Sequence, residues 1–322
     1  MNHWQMAFLV FSVVVAVAGF IPVFDCKHWT FRMFDFIRLQ LLGLMSVLFL
    51  LGLFLHPEAT TVDLLTRGLL AASIFYQLAV ILPYVPLWKK PKADATDSLT
   101  LLSVNVLQSN DDYRRMIRLV QEVQPDLLLT METNQAWEDA LAAIEPLFSY
   151  AYKVPKENEY GMHFYSKLQV IDCQEQYLVS TEYPSLRVHL RDHRQREFIF
   201  WGIHPPPPSP TQEPTAEPKD TELTIVAKAA RKTSLPVIVS GDFNNVCWSQ
   251  SSKAFAQESR LKDARLGRGL YSTFPVRPKL LRFPLDLLFH SPTVEVCQLT
   301  TLSDVGSDHL PLLARLRINT PG

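Results

Sequence analysis

The chain has little thiol chemistry to offer. Its four cysteines, Cys26, Cys173, Cys247 and Cys297, stand far apart in 322 residues, with no C-x-x-C pair among them. That excludes a zinc ribbon and a redox dithiol, and isolated cysteines usually serve as small buried hydrophobes. No internal repeat is visible, so a solenoid or propeller is excluded. The net charge is −1, so the chain lacks the basic excess expected of a nucleic-acid binder. Charge of either sign is also scarce in the first ninety residues, where apolar residues come in long runs instead. The remainder has an ordinary soluble composition, so the chain is two-part.

Three apolar runs, Met6–Phe24, Leu39–Leu55 and Gly68–Trp88, contain no charge. Each has the length of a helix that crosses a bilayer core, and a buried helix of a soluble domain rarely runs so far without a polar face. About three transmembrane helices are expected, near residues 6–24, 37–55 and 68–88, within a membrane region 1–90. Ala16-Val17-Ala18 resembles a signal-peptide cleavage site, but Met1–Gln5 lacks the cationic start. Cleavage there would still leave two spans. Residues 91–98, polar and proline-containing, read as a linker to a domain over 99–319.

From Leu99 the pattern alternates strand and helix. Leu99–Val106 and Asp126–Met131 read as buried strands, with an amphipathic helix at Tyr113–Val123 between them and a helix capped by Asn134 after them. Further strands are expected around Gly161–Tyr165, Leu186–Leu190, Phe198–Ile203, Val237–Ser240, Leu285–Phe289, Glu295–Thr300 and Leu312–Ile318. Helices are expected at Asp220–Arg231 and after Trp248. Pro205–Pro218 holds seven prolines and must be an irregular loop. The alternation predicts an α/β fold of sheets covered by helices.

Several polar residues stand at the ends of these strands. Gly241-Asp242-Phe243-Asn244 follows the strand Val237–Ser240. On an extended backbone Asp242 and Asn244 would point the same way, one to take a proton and the other to donate to a phosphate oxygen. Gly, Asp and Asn are also turn residues. Ser307-Asp308-His309 sets a carboxylate beside an imidazole, a pair that can hold a metal or move a proton near neutral pH, or simply form a polar turn. Asp286 interrupts the apolar run Leu285–Phe289. A buried acid there needs a cationic partner, and His309 is the natural one. Glu132, Asn105 and His204 also close strands, where sites form in α/β sheets. Each residue taken alone has a plain structural reading.

As a set they resemble the endonuclease/exonuclease/phosphatase superfamily, the deoxyribonuclease-I-like fold. The matching pieces are Ser103–Val106, Met131-Glu132, Gly161–Lys167, Gly202–Pro205, Gly241–Asn244, Asp286 and Gly306–His309, over roughly Ser98 to Ile318. The chain is also similar to a bacterial, membrane-anchored, VanJ-like subgroup in which this domain follows three membrane helices. The resemblance implies a four-layer sandwich, two packed β-sheets flanked by helices, acting as a phosphodiesterase or phosphatase. It implies Mg²⁺ or Mn²⁺ held by Glu132, Asn105 and Asp308, and oxygen ligands suit a hard cation. It implies that Asp242 orients or deprotonates water and that Asn244 and Asn105 hold the phosphoryl group. His309, oriented by Asp286, would stabilise the pentacovalent state. His204 would be a second acid or phosphate contact, supported by Glu159.

The family cuts nucleic acids, inositol phosphates and phospholipids. From Leu99 onward 24 Lys/Arg face 26 Asp/Glu, which favours a lipid-linked or other phosphate ester over DNA or RNA. One basic stretch remains, Arg260, Lys262, Arg265, Arg268, Arg277, Lys279 and Arg282, which reads as a headgroup or anionic-bilayer contact or as a solvated loop. The expected location is multi-pass in a bacterial inner membrane. Lys27, Arg32, Arg38, Lys89, Lys90 and Lys92 flank one side of the spans and only Arg67 the other, which puts the domain in the cytoplasm. A C-terminal fluorescent-protein fusion should therefore glow and an alkaline phosphatase fusion should be inactive. The opposite pair of results would reverse the orientation.

Overall fold

The structure is a computed structural model that describes residues 3–55, 60–86 and 97–319. Most of the expected linker, 91–96, and the last two residues of the third expected span, 87 and 88, lie outside the described residues.

Three helices are long and apolar enough to cross a membrane: His3–Val23, Arg38–Leu55 and Thr61–Tyr84. The first contains α1 (His3–Phe20), the second is α3 (Arg38–Leu55) and the third contains α4 (Thr61–Ile81). A short helix not expected from the sequence, α2 (Trp29–Phe36), joins the first two. The third helix starts seven residues before the expected Gly68. Thr60 and Asp63 form a capping box: the Asp63 amide donates to Thr60 Oγ1 and the Thr60 amide to the Asp63 carboxylate. Such reciprocal bonding satisfies two orphan amides at a helix start. Arg67 consequently lies inside α4, not in the preceding loop, and donates to Gly52 O at 2.8 Å. The helices meet through small residues: a Cβ on Gly19 would stand 2.2 Å from Ser73 Oγ, the close approach that membrane helix packing uses.

The rest of the chain forms β1 (Leu99–Asn105), α5 (Tyr113–Val123), β2 (Leu127–Met131), α6 (Gln135–Leu141), β3 (Tyr150–Val154), β4 (Met162–Ser166), β5 (Gln169–Gln176), β6 (Ser185–Arg191), β7 (Glu197–Ile203), α7 (Glu217–Lys232), β8 (Val237–Asp242), α8 (Gln250–Ser259), β9 (Lys262–Asp263), β10 (Asp286–His290), β11 (Val294–Thr301) and β12 (Leu312–Ile318). One six-stranded sheet runs β11-β12-β1-β2-β4-β3 and the other β5-β6-β7-β8-β10-β9. β1 pairs with β2, and β7 with β8, in parallel. All other neighbours are antiparallel.

Between the sheets lie Leu129, Phe164, Phe200, Ile238 and Leu288, with the Phe164 and Phe200 rings stacked at 5.2 Å. Met116, Val120 and Trp137 from α5 and α6 cover Leu102, Val104 and Leu128 on one outer face. Leu223, Val226 and Phe255 from α7 and α8 cover Ile199, Val237 and Phe289 on the other. This is the expected four-layer sandwich, and its central strands are buried on both faces, which is why they read as unbroken apolar runs. The edge strands β3 and β5 escaped notice because an edge strand needs only one covered face. β5 reads Gln-Val-Ile-Asp-Cys-Gln-Glu-Gln and is largely exposed or half-buried.

The segment that carries the three apolar helices seats on the α7–α8 layer. Tyr84 donates to Cys247 O at 2.8 Å, Trp248 Nε1 to Asp35 O at 2.8 Å, and Gln250 Nε2 to Pro22 O at 2.7 Å. The Trp29 amide donates to Pro214 O and the Ala216 amide to Lys27 O, which ties the loop ahead of α2 to the proline-rich segment.

Part of the basic stretch turns out to be internal. Arg265 is fully buried and donates to Leu270 O at 2.8 Å and to the carbonyls of Tyr271 and Asp286. Arg268 and Arg282 also donate to backbone carbonyls. Arg265 is therefore no headgroup contact, contrary to the expectation for this stretch. Leaving its buried acceptors unpaired costs about 1–3 kcal/mol each. Arg265→Met should lower the thermal midpoint of the detergent-solubilised chain by roughly 5 °C or more, with no change in binding to anionic vesicles. An unchanged midpoint would show that the guanidinium is dispensable to the fold.

Candidate active site

The topology collects the polar strand ends at one end of the sandwich. Asn105 ends β1, Glu132 follows β2, His204 follows β7 and Asp242 ends β8. These are the C-terminal ends of the two parallel pairs, where the chain turns out of the sheet. Asp286 opens β10 and lies directly across from Asp242 in the antiparallel register. His309 enters from the loop before β12. Ser307 fixes that loop, since its hydroxyl donates to Asn105 O at 2.7 Å and accepts from the His309 amide at 3.0 Å.

His309 Nδ1 lies 2.8 Å from Asp286 Oδ2, and its Nε2 lies 3.5 Å from Asp242 Oδ2. Burial opposes charge on this ring, but the Asp286 and Asp242 carboxylates outweigh it and raise its pKa from 6.5 to about 10. His309 is thus an imidazolium clamped between two acids. The Asp286 amide donates to Thr273 Oγ1 at 3.3 Å, and the Phe274 ring covers His309 at 4.8 Å.

Asn105 Nδ2 donates to Glu132 Oε1 at 2.7 Å and to Asp242 Oδ2 at 3.2 Å. The Gln108 amide donates to Glu132 Oε2 at 3.2 Å. Burial outweighs these bonds and pushes Glu132 up to about 7, and burial likewise raises Asp308. Glu132 has φ +61°, a left-handed conformation that costs a non-glycine residue about 1–3 kcal/mol and is concentrated at functional sites. Gly241 makes a related demand. At φ +150° a Cβ there would fall 1.9 Å from Ile203 O, so only glycine lets β8 carry Asp242 up against β7.

Two expectations need correction. Asp242 and Asn244 are not on an extended backbone: Asn244 has φ +47° and its amide donates to Asp242 Oδ1 at 2.8 Å, so they share a tight turn. The Asn244 side chain donates to Pro205 O at 3.1 Å. Next, no hydrogen bond from Glu159 reaches His204, whose Nδ1 has no partner among the described residues. Glu159 takes a left-handed turn, φ +68°, and lines the cleft, while the Tyr160 ring lies 5.1 Å from His204. Burial lowers the pKa of His204, which lies 3.9 Å from Asp242. The tightest group of metal-type donors is Asp242, Asp286 and His309, all within 4.8 Å of one another, which could hold a metal ion. Of the expected trio, Glu132 and Asp308 line the same cleft, and Asn105 bonds to Glu132 and Asp242.

The cleft holds about 320 Å³ and is lined by Glu132, Glu159, His204, Asp242, Asn244, Asp308 and His309. Tyr160, Phe274, Leu285, Pro207, Pro208, Gln212 and Phe36 complete its wall. Behind it Lys219, buried, reaches Asn244 O at 3.4 Å, and burial lowers its pKa to about 8. Sequence reading missed Lys219, Tyr160, Phe274 and Phe36. The proline-rich segment marked Pro207 and Pro208 as loop residues, but nothing in the sequence flags the other four. Acids outnumber cations around the cleft, which suits a bound divalent cation.

Two mixed six-stranded sheets with helices on both outer faces and this polar cluster at one end define the architecture of a deoxyribonuclease-I-like phosphoesterase. The chain belongs to the Endonuclease/Exonuclease/phosphatase family, whose profile matches residues 102–309; members of that family are phosphoester hydrolases. No curated protein matches the chain significantly. Among solved structures, the fold is similar to the catalytic domain of human Nocturnin with bound sulfate, at 17% identity and TM-score 0.58, over 70% of this chain and 94% of that one. It is similar to an endonuclease/exonuclease/phosphatase family protein from Bacteroides thetaiotaomicron, at 21% and 0.59, over 69% and 98%. It is similar also to the mannosyl-6-phosphatase Bt3783 of Bacteroides thetaiotaomicron, at 20% and 0.55, over 68% and 99%.

A histidine raised on folding contributes stability that is complete below its unfolded pKa and is lost as pH climbs through the folded one. For His309 that window runs from 6.5 to about 10. Asp286→Asn removes the nearest carboxylate and lowers the upper limit. Calorimetry across this range should show wild type more stable than Asp286→Asn at pH 7, with the gap narrowing toward pH 10. A constant gap would show that His309 is not charged in the folded protein.

Proposed function

We propose that this protein is a membrane-anchored, divalent-metal-dependent phosphoester hydrolase whose substrate is carried on a lipid. The observation that carries the reading is the imidazolium of His309, held by Asp286 and Asp242 at the floor of a cleft rich in acids. A fixed cation in a buried site is the arrangement that stabilises charge developing on a phosphoryl group. Glu132, Asn105 and Asp308 would hold Mg²⁺ or Mn²⁺. The poised acidity of Glu132 supports this, because a cation there would replace the proton that burial otherwise favours. When bound, such an ion polarises the phosphoryl oxygens and lowers the pKa of water.

The chain's own groups do the rest. Asp242, which accepts from the Asn244 amide, orients and deprotonates the attacking water. Asn105 and Asn244, both restrained by hydrogen bonds, hold the phosphoryl oxygens. His309 donates to the oxygen on which charge accumulates, and Asp286 keeps its ring oriented and protonated. His204, whose neutral form burial favours, is placed to contact a second phosphate oxygen.

The three apolar helices, docked on the catalytic sandwich, support an anchored enzyme of the VanJ-like type. The Lys27 flank, together with the lysines at 89, 90 and 92, supports a cytoplasmic domain. The slightly acidic domain does not offer the basic footprint of a nuclease. The test is the full chain in detergent or vesicles, with Mg²⁺ or Mn²⁺, against soluble and lipid phosphate mono- and diesters and plasmid DNA. Turnover should vanish with chelator. His309→Ala and Asp286→Asn should each cut kcat by roughly two to four powers of ten, and the double variant should lose little more, because the pair acts as one unit. Additive losses would show the two are uncoupled. Normal turnover by a folded His309→Ala would remove the assignment.

A further inference from the structure

The catalytic cleft is not built by the sandwich alone. Phe36, the last residue of α2, belongs to the segment between the first two apolar spans, yet it lines the cleft beside Leu285, Phe274 and His309. Its ring meets Phe283 edge-on at 5.6 Å. Phe283 pairs through its backbone with Phe274, and Phe274 covers His309. A continuous aromatic wall therefore leads from the catalytic imidazole to the membrane segment.

The rim at the outer end of this wall has the chemistry of a membrane-contacting surface. α2 keeps Arg32 and Asp35 buried against the domain, with Arg32 3.6 Å from Asp220 and Asp35 O bonded to Trp248. Phe31 and Met33 on the same helix are exposed. The turn 277–283 projects beside it. Leu280 in that turn is 90% exposed and Leu281 is exposed too. A hydrogen bond of 3.0 Å from Gln40 on α3 to Leu280 O pins the turn to the start of an apolar span. Arg277 and Lys279 are exposed on the same turn. Exposed leucines and aromatics flanked by cations, continuous with bilayer-length helices, match the interface of an anionic leaflet.

We infer that α2 and the turn 277–283 dip into the leaflet on the domain's side, and that Phe36, Phe283 and Phe274 form the wall along which the hydrocarbon chain of a lipid phosphate reaches the catalytic cleft. This rests on the phosphoesterase reading and adds that the membrane segment supplies part of the substrate site. Burial of a chain against a phenyl ring is worth roughly tenfold or more in affinity. A free phosphate or short ester would use the cleft floor alone and ignore the wall.

The experiment uses the full chain reconstituted in vesicles of phosphatidylcholine with phosphatidylglycerol. A photo-reactive benzophenone residue at position 280 should cross-link to phospholipid. Dodecyl phosphate, below its micellar concentration, should bind more tightly than ethyl phosphate, by calorimetry on the detergent-solubilised chain. Phe36→Ala should cut that ratio by roughly tenfold, and the milder Phe36→Leu should retain most of it. Absence of lipid cross-linking at 280, or equal affinities of the two phosphates in wild type, would overturn the inference. An unchanged ratio in Phe36→Ala, or cross-linking and tight binding seen with an oligonucleotide instead, would overturn it as well. These readouts need no turnover. If wild type hydrolyses no phosphate ester with Mg²⁺ or Mn²⁺, it is the phosphoesterase reading that fails, while binding and cross-linking still decide the role of the membrane segment.

Discussion

The site depends on one ring of charge. Asp242 and Asp286 face each other across two paired strands, and like charges directly opposite in a sheet repel. Both are buried. The imidazolium of His309 makes that placement tolerable by touching both. The consequence runs outward through the structure. Ser307 must hold the His309 loop against β1, Arg265 must satisfy the backbone of Asp286 from behind, and Gly241 must let β8 approach β7 closely enough for Asp242 to take part. Remove the histidine and two desolvated carboxylates are left with too little compensation.

The cleft around this ring brings backbone strain and a desolvated carboxyl to the same place. Glu132 and Asn244 both take left-handed conformations, while burial pushes the Glu132 carboxyl up to about 7. A fold optimised for stability alone would keep neither feature.

The N-terminal helical segment is more intimately joined to the sandwich than a tether needs to be. Buried polar contacts from Asp35, Tyr84 and Pro22 reach the helices of one outer layer, and a phenylalanine from the same segment forms part of the cleft wall. Anchoring by a flexible linker would raise the local concentration of a lipid substrate without fixing its angle of approach. A docked seam also fixes how the apolar helices sit relative to the cleft.

Periodicity and length were enough, in the sequence, for the three apolar helices, the buried central strands and the amphipathic helix at Tyr113–Val123, because each must cover a defined face with apolar residues. The ends of those strands likewise exposed Asn105, Glu132, Asp242, Asp286 and His309, since a polar residue closing or interrupting an apolar run is visible without knowing what it touches. The edge strands β3 and β5 and the helix α2 were not legible, because a half-exposed element carries a weak pattern. The same holds for contacts made by residues remote in the chain. Whether a basic stretch meets lipid or, like Arg265, the protein's own carbonyls depends on which side the backbone buries. Whether Glu159 or Tyr160 meets His204 depends on one left-handed turn. That Phe36 lines a cleft otherwise built from residues between Glu132 and His309 follows only from how the N-terminal segment docks, which no local pattern records.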